Sequence, residues 1–155
     1  MSSKPLIRVI GCGNLLLQDE GIGIHLIRYL EQRQLPEGIE LIDGSTGGFD
    51  LLPYFEDSRK VVIVDAVKSP GGKAGDIYRF TPDDFDTAAT PKTSLHDITL
   101  KDMFELVKRT KGSLPPVVLF GVEPLLIDWG MELTTDVAAV LPRLGELVMK
   151  EIQDA

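Results

Sequence analysis

Apolar residues along the chain fall into two recurring patterns, short β-branched runs and stripes at helical spacing, and the two alternate. Leu6 to Ile10 reads as a short buried strand, after which Ile22, Leu26, Ile27 and Leu30 recur on one helix face. Pro36-Glu37-Gly38 punctuates, and Ile39-Glu40-Leu41-Ile42 predicts a second strand ending at Asp43. Phe49 to Phe55 predicts a short helix disturbed by Pro53, which has no amide proton to give. The run Val61-Val62-Ile63-Val64 is continuous and β-branched, as a central parallel strand buried on both faces would be, and it stops at Asp65.

Ser69 to Asp76 is too rich in turn residues for a crossover helix, so Ile77-Tyr78-Arg79-Phe80 is expected to fold back as an antiparallel edge strand. Thr81 to Thr93 reads as a long polar loop leading into Ser94-Leu95-His96-Asp97 and a helix with Leu100, Met103, Phe104 and Val107 on one face. Gly112 ends that helix, and Val117 to Phe120 is the last strand. After a loop from Gly121 to Leu133, a final helix is expected to start at Thr134 or Thr135 as its cap and to pack through Val137, Leu144, Val148 and Ile152. Pro142 should kink that helix or mark its true first turn. The alternation predicts a single α/β domain over residues 1–155. It would be a three-layer sandwich with a mostly parallel sheet of about five strands, one antiparallel edge strand and helices on both faces.

Bulk properties narrow the function classes. A chain of 155 residues can bury about 70% of its unfolded surface without disulfides or metals as staples. No apolar run approaches the roughly 20 residues of a membrane span, and Met1 to Pro5 is too short for a signal peptide, so a cytoplasmic protein without a membrane partner is expected. The formal net charge of −8 opposes a nucleic-acid footprint and favours a basic partner surface over an anionic one. The single cysteine excludes an internal disulfide, in keeping with a reducing compartment.

Chemistry concentrates in the glycine-rich loop Gly11-Cys12-Gly13-Asn14 and the acidic pair Asp19-Glu20 that closes it. The loop joins a strand to a helix, and in an open α/β sheet such loops lie where ligands bind. Glu20 after the first strand, Asp43 after the second and Asp65 after the third would converge at one rim, which His96 can reach from the long loop. Two carboxylates and an imidazole suit a divalent transition metal with open positions. Taken singly, each has a structural use: Asp19 and Glu20 as dipole partners of a helix start, Asp65 as a turn former, His96 as a helix-start residue. A dinucleotide site would use Gly11, Gly13 and Asp43, but Leu16 stands where the third glycine of the fingerprint belongs. A receiver domain would need a lysine after the last strand, where Glu123-Pro124 stands. A scaffold whose loops only bind a partner is the remaining alternative. Cys12 reads as buried and inert rather than nucleophilic, and His25 as a surface or packing residue.

Several of these segments together resemble the nickel-iron hydrogenase maturation endopeptidases. The residues carrying the likeness are Gly11-x-Gly13-Asn14-x-Leu16-x-x-Asp19-Glu20-Gly21, Asp43-Gly44-Ser45-Thr46, Val64-Asp65-Ala66, Ser94-x-His96, Gly121-Val122-Glu123-Pro124 and Trp129-Gly130-x-Glu132-Leu133. The resemblance implies an aspartic-type, metal-dependent endopeptidase that trims the C-terminal extension of the hydrogenase large-subunit precursor after nickel insertion. It implies Glu20, Asp65 and His96 as ligands of nickel delivered by that precursor, other divalent ions being able to substitute, and the Asp43 loop as a recognition and cleavage element. Ser45 departs from the glycine common at its position. Two mechanisms stay open: nickel activates water and polarises the scissile carbonyl, or nickel only docks the substrate while Asp43 helps as a base. A non-catalytic nickel-sensing chaperone for the precursor is the alternative reading, and a monomer is the favoured state.

Overall fold

The computed structural model describes residues 6–45, 48–56, 58–86 and 100–155. Strands β1 (Leu6–Cys12), β2 (Ile39–Ser45), β3 (Ser58–Ala66), β4 (Ile77–Phe80) and β5 (Val117–Val122) form one five-stranded sheet in the order β2-β1-β3-β5-β4. All neighbours run parallel except β4, which pairs antiparallel with β5 at the edge. This is the α/β architecture expected, edge strand included.

The continuous apolar run of β3 follows from burial on both sides. Side chains alternate across a strand. Val62 and Val64 meet Ile22, Leu26 and Leu30 of helix α1 (Ile22–Glu31) with Leu144 and Val148 of helix α4 (Leu141–Gln153). Val61 and Ile63 face the other way, onto Leu51 and Phe55 of the 3-10 helix Gly48–Phe55 and Met103 of helix α2 (Leu100–Lys111). The rings of Phe55 and Phe104 close that second layer edge to face, 6.1 Å between centroids. The 3-10 form of Gly48–Phe55 accommodates Pro53 within it.

Several boundaries differ from expectation: β2 runs on to Ser45 and β5 to Val122, β1 and β3 are longer than their apolar runs, and the last helix is broken. β1 and β3 outrun their apolar segments because their backbones still find partners: Ile7 lies opposite Lys60, and Gly11 lies opposite both Asp43 and Val64. The last helix is two pieces, α3 (Thr135–Ala138) and α4, with Pro142 in the first turn of α4 where its missing amide proton costs nothing. Among the described residues, no helix is long and apolar enough to cross a membrane.

α4 is also tied to the sheet by charge. Glu151 Oε2 accepts from Lys60 Nζ of β3 at 2.7 Å, and its Oε1 accepts from Arg79 Nε of β4. Burial alone would raise the Glu151 carboxyl, yet the hydrogen bonds and charges of Arg79 and Lys60 outweigh it and hold the group below the usual carboxylate range. A depressed carboxyl stabilises the fold above its unfolded pKa, and that share is lost as pH falls through the folded value. Glu151→Gln is therefore expected to cost about 1–2 kcal/mol near neutrality. Its urea midpoint should converge on that of the parent as pH is lowered through the carboxylate range.

Candidate metal and catalytic centre

The chain passes from β1 to β2 on one side and on to β3 on the other, so the sheet reverses its winding between β1 and β3. Ligand crevices in open α/β sheets lie at such a point, beyond the carboxyl ends of the strands. The residues that build this one are small. Gly23 at the start of α1 lies so close to the sheet that a Cβ there would fall 2.3 Å from the Val64 carbonyl oxygen and 2.4 Å from that of Cys12. Gly13 turns out of β1 at φ 127°, in backbone space that side-chain-bearing residues rarely enter, and its N–H donates to the Ser45 carbonyl of β2 at 2.7 Å. A Cβ on Gly13 would lie 1.8 Å from the Glu20 carbonyl oxygen and 3.6 Å from Asp65 Oδ1. Gly13 is thus the contact through which the Glu20 turn and the end of β3 meet.

The acidic pair divides its labour. In the 3-10 turn Gln18–Gly21, successive side chains diverge by a third of a turn, so neighbours cannot both face the crevice. Asp19 turns inward, fully buried, and accepts four hydrogen bonds from the far loop. Its Oδ2 takes the amides of Leu125 at 3.0 Å and Leu126 at 3.1 Å and the Thr134 hydroxyl at 2.7 Å, while Oδ1 takes the Thr134 amide at 2.8 Å. Thr134 occupies the N-cap position of α3 as expected, but its hydroxyl is spent on Asp19 rather than on the helix. Glu20 is 6% exposed, and its backbone carbonyl lies against Gly13. Asp19→Asn should cost about 2 kcal/mol by turning one acceptor of this cluster into a donor. Hydrogen exchange should quicken selectively at the amides of Leu125, Leu126 and Thr134.

Asp65 is fully buried at the end of β3, where Oδ1 accepts from the Ala66 amide at 2.8 Å. Asp43 is exposed at the same rim, opposite Gly11 in the β1–β2 register. Its Oδ1 accepts the Ser45 amide and the Ser45 hydroxyl, both at 3.0 Å. Those bonds account for the departure at Ser45, whose φ of 47° lies in left-handed space where glycine is free of strain. Here the Asp43 carboxylate holds a serine in that conformation and is itself oriented by it.

Cys12 is buried between the acids. Burial first, then the charges of Asp65 and Asp43, push its thiol well above the ordinary range, so it stays protonated and unreactive at neutral pH. His25 lies under the Gln18–Gly21 turn, with Cδ2 3.6 Å from where a Gly21 Cβ would stand, and bonds the Met131 backbone. Its Nε2 is buried without a hydrogen-bond partner, and burial lowers its basicity. Glu123 is 7% exposed and serves structure: Oε1 accepts the Ser69 amide and the Tyr78 hydroxyl, each at 2.9 Å. Partial burial and that carboxylate push Tyr78 up to about 12. His96 lies outside the described residues.

The turn that carries Glu20 and the Asp65 carboxylate therefore meet at Gly13, with Asp43 exposed at the same rim. Among the described residues, no group of three or more His, Cys, Asp or Glu side chains is set to hold an ion. Two buried carboxylates fit a divalent cation that completes its shell with other ligands, and they have the oxygen chemistry such an ion prefers.

Known proteins share both the sequence pattern and the fold of this chain. The family model described as hydrogenase maturation protease matches residues 24–151. The hydrogenase 2 maturation protease of Escherichia coli strain K12 is 31% identical over 150 residues, spanning 96% of this chain and 92% of the relative. The solved hydrogenase maturating endopeptidase HybD from E. coli superposes with a TM-score of 0.82 at 30% identity, covering 96% of this chain and 93% of that one. HybD from Thermococcus kodakarensis shares the fold, with a TM-score of 0.78 at 23% identity over 94% of this chain and 97% of that one. The chain belongs to the hydrogenase maturation protease family. It is accordingly a peptide-bond hydrolase, a hydrogenase maturation endopeptidase.

Proposed function

We propose that the chain removes the C-terminal extension from the large-subunit precursor of a nickel-iron hydrogenase, in the cytoplasm and after nickel has entered that precursor. Glu20, Asp65 and His96 receive the precursor's nickel at the crevice. The observation carrying this reading is the meeting, at the switch point, of the fully buried Asp65, whose Oδ1 lies 3.6 Å from where a Gly13 Cβ would stand, with the backbone of the turn that carries the nearly buried Glu20. Carboxylates held this far from water favour a cation beside them, and oxygen donors with one imidazole suit a divalent transition ion that keeps positions open. The ion belongs to the substrate, so the acids read metal loading before the chain is cut. Other divalent ions are expected to substitute.

Bound there, nickel supplies positive charge next to the scissile carbonyl. In this reading Asp43, whose Oδ1 accepts two bonds from Ser45, takes a proton from the attacking water and returns it to the leaving nitrogen. Water is thereby added across the C–N bond: its oxygen joins the carbonyl carbon as the amine departs. Cys12 takes no part, since its thiol is protonated and enclosed.

The test is incubation with purified precursor, nickel-loaded or nickel-free, followed by mass measurement. Loss of the C-terminal peptide from the loaded form alone is the expected result. Tight binding without shortening would instead make the protein a non-catalytic chaperone.

A further inference from the structure

The large apolar side chains most exposed in the described residues are gathered on two loops: Leu16 at 50%, Leu125 at 59%, Leu126 at 46%, Ile127 at 37%, Trp129 at 78% and Met131 at 55%. The first lies two residues before the turn that carries Glu20, and the others on the loop after β5. The loops are stitched into one body. Gly130 gives its amide to Leu16 O at 2.9 Å and receives that of Gln18 at 2.8 Å, and Asp19 grips Leu125, Leu126 and Thr134 from beneath. His25 holds the Met131 backbone from α1.

Exposed apolar side chains on a slack loop would collapse onto one another; on a pinned loop they remain presented, and a contiguous apolar patch of this kind marks an interaction site. The charge around it is one-sided. The stretch 124–136, which carries five of the six apolar residues, contains three acids, Asp128, Glu132 and Asp136, and no Lys, Arg or His. All three acids are exposed beside or just after the apolar residues.

We propose that these stitched loops are the docking platform of the enzyme, and that its occupant is an apolar segment of the precursor flanked by basic residues. The inference rests on the peptidase reading above and adds the recognition element to it. Trp129 is the anchor: large, rigid and nearly wholly exposed, it has the character of the few residues that dominate an interface. Because one of the two loops leads into the Glu20 turn, docking there also sets the precursor's position relative to the crevice.

Trp129 is the single tryptophan of the chain, which makes the test direct. The protein is prepared with 5-fluorotryptophan, its one fluorine resonance is followed as unlabelled nickel-loaded precursor is added, and cleavage kinetics are measured on unlabelled variants. The resonance should shift in proportion to bound precursor. Trp129→Ala should raise KM at least about ten-fold with kcat within about two-fold, Trp129→Phe should recover most of the loss, and Glu132→Lys should raise KM and flatten its salt dependence. Normal cleavage by the parent with an unmoved resonance and an unchanged KM for Trp129→Ala would overturn the platform and leave the peptidase reading standing. A shifted resonance without cleavage would support the platform and sink the peptidase reading. A resonance that moves with the protein's own concentration, precursor absent, would assign the patch to a second copy and overturn the proposal.

Discussion

Asp65→Asn should fold as the parent does and leave the precursor uncut. The carboxylate is fully buried, and the bond that its Oδ1 accepts from the Ala66 amide at 2.8 Å is available to the asparagine oxygen as well. The substitution removes a negative charge from a fully buried position, so the thermal midpoint should stay level or rise. What it removes, on the proposed mechanism, is an anionic ligand. Disturbing even the outer partners of a bound metal commonly costs ten- to about a hundred-fold in affinity or activity. Loss of a direct ligand should exceed that, and tail removal should fall by more than about a hundred-fold. Mass measurement of the precursor reads the activity, and a thermal melt of the same preparation reads the fold. Normal processing by a folded Asp65→Asn protein would remove Asp65 from the centre.

Gly13→Ala should do the opposite, failing at the level of structure. Its methyl would stand 1.8 Å from the Glu20 carbonyl oxygen, a backbone atom that cannot swing aside, and alanine would have to hold φ 127°. Either the Glu20 turn lifts from β3 or the end of β1 unwinds. The expected cost is above about 4 kcal/mol, in the range reserved for changes that break a fold locally. Gly38 is the internal control. It too has positive φ, 83°, but nothing lies within 4 Å of its would-be Cβ. Gly38→Ala should therefore cost only the conformational strain, about 1–2 kcal/mol. Urea denaturation of the two variants separates collision from strain, and equal losses would mean that the crowding around Gly13 relaxes without consequence.

The contrast between these glycines bears on what could be read before any coordinates. The sheet was written in its β-branched runs, because burial on both faces leaves no room for polar alternation at Val61 to Val64. The edge position of Ile77–Phe80 followed from the turn residues before it. Asp43 and Asp65 could be placed at one rim because parallel strands end on the same side, a consequence of topology rather than of contacts. The roles of Asp19 and Glu20 could not be told apart in that way. Adjacent acids look alike in a string, and only the bonds from Leu125, Leu126 and Thr134 mark Asp19 as the one that fastens the far loop. The split of the last helix at Pro142 was one of two stated outcomes for a proline in a helical pattern. Ser45 was visible as a departure from the family pattern, but its reason is a backbone angle that no residue string records. His96 was assigned from resemblance and pattern and falls outside the described residues.

The account depends on a shared ion at the crevice between β1 and β3. Crystals of the protein soaked with a nickel salt, with data collected on either side of the nickel absorption edge, test this most directly. The account predicts an anomalous peak within bonding distance of a carboxylate oxygen of Glu20, a carboxylate oxygen of Asp65 and a ring nitrogen of His96. A peak held by other residues, with those three side chains turned away from one another, would contradict it.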